Sequence, residues 1–144
     1  MLPYDILRVS DQIEKPYPMI HPNTGKPFTG WAYQAFSYGN GKSRTKHMPF
    51  EHGLKDGVEI FFNERGVLLR KTHLKKNLLH GPNDSFYENG MPREKSVYEI
   101  KDSTRSRLLS MRIWKPDGRR CPHSGIDSTG TGECWKYDPL NGEP

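Results

Sequence analysis

Apolar and aromatic positions come in short runs along this chain, and glycines close them at regular intervals. Gly57-Val-Glu-Ile-Phe-Phe-Asn-Glu-Arg-Gly66 aligns with Gly81-Pro-Asn-Asp-Ser-Phe-Tyr-Glu-Asn-Gly90, an offset of 24 residues. Phe62 and Phe86 each stand four before the second glycine, and Phe50, Leu74 and Tyr98 keep the same period of 24. Turn glycines fall at Gly41, Gly66, Gly90, Gly118 and Gly142, at intervals of 25, 24, 28 and 24. An incomplete unit is expected to turn at Asn23-Thr24-Gly25. Each unit reads as a β-hairpin. Val58 to Phe62 is β-branched and aromatic, which suits a pleated strand. Asn89-Gly90 and Asn141-Gly142 are tight-turn dipeptides, because both residue types accept positive φ. Gly57 and Gly81 are expected to punctuate the links between hairpins. No stretch sustains a helical period, and 12 prolines spread along the chain oppose long helices.

A self-similar period of this length marks a repeat architecture, in which one hairpin cannot bury its aromatic face alone and neighbours must stack. An ordinary antiparallel domain with chance glycine turns is the bland alternative, and three columns sharing one period weigh against it. The position four before the turn glycine, Phe62, Phe86 and Trp114, is then the expected buried row. Ser103 to Leu109 lacks the inter-hairpin glycine and reads as an insertion loop. Residues 1–19 lie outside the repeats and are expected to cap the array, which occupies residues 20–144.

Composition fits a thin sheet. The chain has 144 residues, of which 33% are hydrophobic and 11% aromatic. Its mean hydropathy is −0.88. So few apolar residues would fill a thick core poorly, whereas regularly spaced aromatics give a large burial contribution each. Met1 to Ser10 shows no signal-peptide pattern, and no window is apolar enough for a membrane span. With only Cys121 and Cys134, the expectation is a cytoplasmic protein with reduced thiols. The formal net charge of +5 favours acidic partners without choosing among protein, lipid and nucleic acid.

Gly25-Lys-Pro-Phe-Thr-Gly30, the turn Tyr38-Gly-Asn-Gly41, Leu54-Lys-Asp-Gly57 and Leu79-His-Gly81 together resemble the MORN-variant repeats of bacteria. Proteins of that kind are often described as YwqK-type antitoxins or immunity proteins. The resemblance covers about residues 20 to 142. It implies an all-β fold: an elongated single antiparallel sheet of stacked MORN-like β-hairpins. It also implies a role in neutralising a toxin by binding it, and it supplies no catalytic residues.

Catalytic and metal chemistry find no support in the residues themselves. Cys121, His123 and Cys134 lack the fourth ligand and the short paired spacing of structural zinc. The six histidines (21, 47, 52, 73, 80 and 123) have no nucleophile beside them. Gly39-Asn-Gly-Lys-Ser43 lacks phosphate-loop spacing and reads as a hairpin turn. No enzyme activity, metal or cofactor is therefore expected.

A basic row is the more informative feature. Lys46, Lys71 and Lys95 each stand five after a turn glycine, with Arg44 and Arg93 two residues before the first and last. By the period-2 rule these five are expected to form a ladder on one face. A flanking row, Phe36, Phe61, Tyr87 and Tyr137, would supply aromatic anchors. The sequence thus points to a non-catalytic protein-binding module whose partner surface comprises Arg44, Lys46, Phe61, Lys71, Tyr87, Arg93 and Lys95. The expected partner is a toxin with an acidic surface. The alternative is a membrane-peripheral scaffold that binds anionic lipid through its basic face. Nucleic acid is the weaker reading, because stacking aromatics on a basic platform should be more concentrated.

Overall fold

A computed structural model describes residues 1–10 and 17–121. Among them the strands are β1 (Leu2–Pro3), β2 (Arg8–Val9), β3 (Met19–Ile20), β4 (Gly30–Gly39), β5 (Lys42–Glu51), β6 (Leu54–Lys55), β7 (Gly57–Asn63), β8 (Leu68–Lys75), β9 (Leu78–Phe86), β10 (Pro92–Asp102) and β11 (Arg105–Ile113). One large sheet runs in the order β1-β4-β5-β7-β8-β9-β10-β11, with β6 on β5, while β2 and β3 pair separately. Every neighbour from β4 to β11 is antiparallel and consecutive along the chain, save for the small β6. The all-β hairpin sheet anticipated from the glycine spacing is what forms.

The repeat is visible in the backbone of the turns. In three successive hairpins the first residue's N–H donates to the carbonyl four residues on, and the turn glycine's N–H donates back to the first residue. This holds for Asn63 with Val67 and Gly66, Tyr87 with Met91 and Gly90, and Lys115 with Arg119 and Gly118. The β4–β5 hairpin is tighter: Gly39 pairs with Lys42 around Asn40-Gly41, both at positive φ. The Asn23 region also turns, with His21 N–H bonded to the Lys26 carbonyl. The expected units at Gly132 to Tyr137 and at Gly142 lie outside the described residues.

Links between hairpins differ from expectation. The chain reverses at His52-Gly53, Lys76-Asn77 and Ser103-Thr104, while Gly57 opens β7 and Gly81 lies inside β9 opposite Tyr98. Ser103 to Leu109 is no insertion loop. The Asp102 carboxylate accepts the Thr104 N–H and hydroxyl, closing a tight turn from which β11 starts directly.

Cross-strand register assigns the two faces, since directly opposed residues point the same way. One face carries the rows Gln34–Lys46–Phe61–Arg70–Ser85–Glu94–Ile113 and Glu59–Thr72–Asn83–Ser96–Met111. The other carries Tyr33–His47–Ile60–Lys71–Asp84–Lys95–Arg112. Burial concentrates on the first, here called the inner face: Ala32, Met48, Phe50, Asn63, Thr72, Ser85 and Ser96 are all buried there. Met48, Thr72 and Ser96 are 24 residues apart and form the true buried column. Polar members of it are satisfied laterally. The Thr72 hydroxyl donates to Asn83 Oδ1 (2.8 Å) and the Ser96 hydroxyl to the Asn83 carbonyl (3.1 Å). A chain poor in apolar residues can therefore pack this face with polar residues that bond one another across strands.

The expected row of Phe62, Phe86 and Trp114 is not a core; all three are only partly buried. Phe62 points to the outer face, where it meets His47 edge-on at 4.9 Å. The buried turn column lies one residue further on, at Asn63 and Tyr87. Asn63 holds its place because its Oδ1 accepts the N–H of Arg65 (2.9 Å) and of Val67 (3.0 Å), fixing the turn.

The compact apolar cluster sits at the N-terminal end. Leu7, Phe28, Ala32, Met48 and Phe50 pack together with Leu2, Tyr4 and Met19. β1 adds a parallel strand beside Ala32 and Tyr33 of β4. Gly53 receives this segment: Met19 N–H bonds its carbonyl, and its own N–H bonds the Phe28 carbonyl, both at 2.8 Å. A Cβ on Gly53 would stand 2.5 Å from Pro18 Cβ, and its φ is +83°, so only glycine fits.

Candidate functional site

Two adjoining recesses lie on the inner face, sharing Phe61 and Arg70. The larger, about 550 Å³, is lined by Phe36, Tyr38, Lys46, Lys55, Glu59 and Leu79 among others. The second, about 450 Å³, reaches Lys42, Arg44, Tyr87, Glu88 and Arg93 beside the hairpin turns. Together they form a trough across β4, β5, β7, β8 and β9. Six cationic side chains line it (Lys42, Arg44, Lys46, Lys55, Arg70 and Arg93) against two carboxylates, Glu59 and Glu88.

Register builds the centre. Lys46 stands directly opposite Phe61, and Phe61 directly opposite Arg70, so one aromatic ring is flanked by a cation on each side. Phe36, two strands away on β4, meets Phe61 edge-on at 6.2 Å. The Arg44 guanidinium lies 5.2 Å from the Tyr38 ring centroid and 5.9 Å from that of Phe61. The Lys46 ammonium lies 5.8 Å from Phe36 and 6.0 Å from Phe61. Ring quadrupoles attract these cations, each contact contributing about 0.5–1 kcal/mol where water reaches it. The cations are thereby held over the rings and point into the recess instead of ranging through solvent.

The two carboxylates occupy opposite ends and differ in kind. Glu59 is recessed, its side chain 13% exposed, with Lys55 Nζ 2.8 Å from Oε2 and Lys46 Nζ 3.8 Å from Oε1. The Lys55 contact is a close Coulombic pair without an aligned hydrogen bond at that oxygen. Glu88 is 46% exposed and stands 3.7 Å from Arg44, a loose surface pair of little energetic weight. Arg70, exposed at the junction of the recesses, makes no ion pair among the described residues.

Of the expected partner-binding residues, Arg44, Lys46, Phe61, Tyr87 and Arg93 line this trough. Arg93 reaches it from the irregularity between Pro92 and Glu94. Lys71 and Lys95 do not: both lie on the outer face, on either side of Asp84. The five-charge ladder is thus split between faces, and its outer part is interrupted by an acid. Tyr87 lines the second recess as a buried wall. It is 6% exposed, and its hydroxyl donates to the Trp114 carbonyl at 2.5 Å. It is a packing residue that ties the final described hairpin to its neighbour, helped by the Asn89 amide donating to the Pro116 carbonyl. Tyr137 lies outside the described residues.

Arg70 is the residue that counting from turn glycines missed. The 24-residue period applied directly to Lys46 gives Arg70, and the two do share one cross-strand row. Tyr38, which stands 24 before Phe62, and Lys55, which has no repeat signal of its own, complete the trough.

Among the described residues no three His, Cys, Asp or Glu side chains come together as metal ligands, and no helix is long and apolar enough to cross a membrane. Cys121 is buried and disulfide-bonded, which corrects the expectation of a reduced thiol there; Cys134 lies outside the described residues. No protein-family model matches the chain, and neither does any curated protein or solved structure.

Proposed function

We propose that this chain is a non-catalytic binding module that takes an acidic segment of a partner protein into the inner-face trough. The observation that carries the reading is the cluster of six cations against two carboxylates, with Arg44 and Lys46 held over Phe61 at the centre. Preorganised cations in a recess gain more from a carboxylate than mobile surface lysines do, because ordering costs are already met and screening is weaker. Phe61 supplies an aromatic anchor of the kind on which interface affinity concentrates. The MORN-variant resemblance gives the reading its most specific form, a bacterial antitoxin or immunity protein that neutralises a toxin by covering its surface.

Chemistry disfavours the other acidic partners. The Phe61, Phe36 and Tyr38 rings already have cations over them, which leaves fewer open faces for base stacking. A bilayer presents a broad, gently curved surface, whereas Arg44, Lys46 and Lys55 are recessed, with side chains 27–29% exposed. On the outer face Asp84 separates Lys71 from Lys95, so no uninterrupted basic sheet meets a membrane.

The test is capture from the native cell with the wild-type chain, the trough variant Lys46→Glu/Arg70→Glu, and the outer-face variant Lys71→Glu/Lys95→Glu. An acidic protein retained by the wild type and the outer-face variant but lost by the trough variant supports the reading. Equal retention by all three removes it. Binding of phosphatidylserine vesicles that survives the trough substitutions would turn it toward lipid.

A further inference from the structure

The outermost long strand of the sheet, β4, is left open along half of its length. β1 covers it only at Ala32 and Tyr33, so the edge from Gln34 to Gly39 has no strand partner among the described residues. Unpaired edges are usually protected by charge, proline or a covering element, because their free N–H and C=O groups template further pairing. Gln34-Ala35-Phe36-Ser37-Tyr38-Gly39 contains neither a charged residue nor a proline, in a chain that is 27% charged, and its register irregularity against β5 lies at Tyr38, beside the turn. The same strand carries Trp31, Tyr33 and Tyr38 at 45%, 37% and 57% exposure. Exposed aromatics gathered on one strand are the compositional mark of an interface core.

We infer that β4 pairs antiparallel with β4 of a second copy of this chain, about a twofold axis at Ser37. An uncharged edge does not repel its own image. β1 and the turn Tyr4–Ile6 that follows it block registers reaching back past Gln34, leaving the window centred on Ser37. In that register Phe36 faces Tyr38 of the other copy, and the reverse, giving two cross-strand aromatic pairs on the inner face. Ser37 faces Ser37 on the outer face, where Ala35 also lies, while Gly39, opposite Lys42 across the irregularity at Tyr38, turns to the inner face. Small residues there let the backbones close, and the two troughs become parts of one longer sheet. Head-to-tail growth would need the β11 edge instead. β11 carries Arg105, Arg107 and Arg112, and the chain folds back beside its end through the Trp114–Arg120 bridge. The assembly therefore closes as a dimer and does not extend as a filament.

Sedimentation velocity from the low to the high micromolar range tests this with the intact chain. Wild type is expected to approach twice the chain mass, more so at high salt, where repulsion between two cationic bodies is screened. This is opposite to the salt response expected of the trough. Ser37 is exposed, so Ser37→Lys and Ser37→Glu leave the fold intact by circular dichroism. Each alone is expected to stay monomeric, because like charges meet at the axis, and an equal mixture is expected to recover the dimer. A wild type that stays monomeric throughout overturns the inference. So does self-association of Ser37→Lys equal to wild type, or a mixture that stays monomeric.

Discussion

Replacing Asn63 by alanine tests whether the repeat is held by its turns or by the aromatic residues beside them. Asn63 is 3% exposed, and its Oδ1 accepts two backbone N–H groups, from Arg65 at 2.9 Å and from Val67 at 3.0 Å. The Arg65 N–H belongs to an exposed residue and can turn to water, so its loss costs about 1 kcal/mol. The Val67 N–H is half-buried, and losing its acceptor costs about 1–2 kcal/mol. Asn63→Ala is therefore expected to lose about 2–3 kcal/mol, lowering the urea midpoint by roughly 1–2 M at an m-value ordinary for this size. Asn63→Asp keeps the acceptor oxygen and gives up only Nδ2, which has no partner. Its new oxygen also stands on the strand pair opposite Arg44. It is expected to lose less than half as much. Losses under about 0.5 kcal/mol for both variants would refute the reasoning, since that is the range of an uninvolved surface site.

Gly53→Ala is expected to cost more than about 2 kcal/mol and to loosen Leu2 to Met19 in amide exchange, because a Cβ meets Pro18 and Met19 in a left-handed backbone. Protection of that segment unchanged from wild type would show that Gly53 is not its socket. Lys76 has φ of +47° at a turn where no side chain is needed. Lys76→Gly is expected to stabilise by up to about 1 kcal/mol in urea melts, and a loss would contradict this. The Thr104 hydroxyl and backbone N–H, with the Arg105 guanidinium, hold the Asp102 carboxyl at a pKa of about 2. A depressed carboxylate pKa contributes stability that is present above its unfolded value and is lost as pH falls through the folded one. The Asp102 contribution therefore disappears between about pH 4 and pH 2, and Thr104→Val should raise the pKa seen by carboxyl NMR.

The glycines made the hairpins legible. Gly66, Gly90 and Gly118 close turns of one backbone geometry, and that geometry follows from residues a reader can see. The inter-hairpin reversals were harder. Lys76-Asn77 and Ser103-Thr104 are not strong turn signals, and Gly57 and Gly81 drew attention away from them. The faces were misread for a definite reason. The first hairpin turns on two residues and carries its extra residue, Tyr38, on the strand before the turn, whereas later ones use a wider loop and carry it on the strand after, at Leu69 and Arg93. Counting five from each turn glycine therefore lands on the inner face in the first hairpin and on the outer face in the later ones, because a one-residue slip inverts a strand. Lys71 and Lys95 went to the outer face for that reason, while Arg70, at the constant offset from Lys46, went to the trough. The buried columns escaped notice because Asn63, Thr72 and Ser96 are polar, and their burial depends on hydrogen bonds within a turn or across strands that hydropathy does not register.

The central claim is that the inner-face trough binds acidic polypeptide, and calorimetric titration with poly-L-glutamate tests it directly. Wild type is expected to bind at low salt and to weaken as salt is raised, because the attraction is Coulombic. Lys46→Glu/Arg70→Glu is expected to weaken binding by about tenfold or more, equivalent to about 1.4 kcal/mol. Lys71→Glu/Lys95→Glu is expected to bind within about twofold of wild type, a difference of roughly 0.4 kcal/mol. Equal weakening by both variants would mean that only net charge matters, and no binding by wild type at low salt would contradict the account outright.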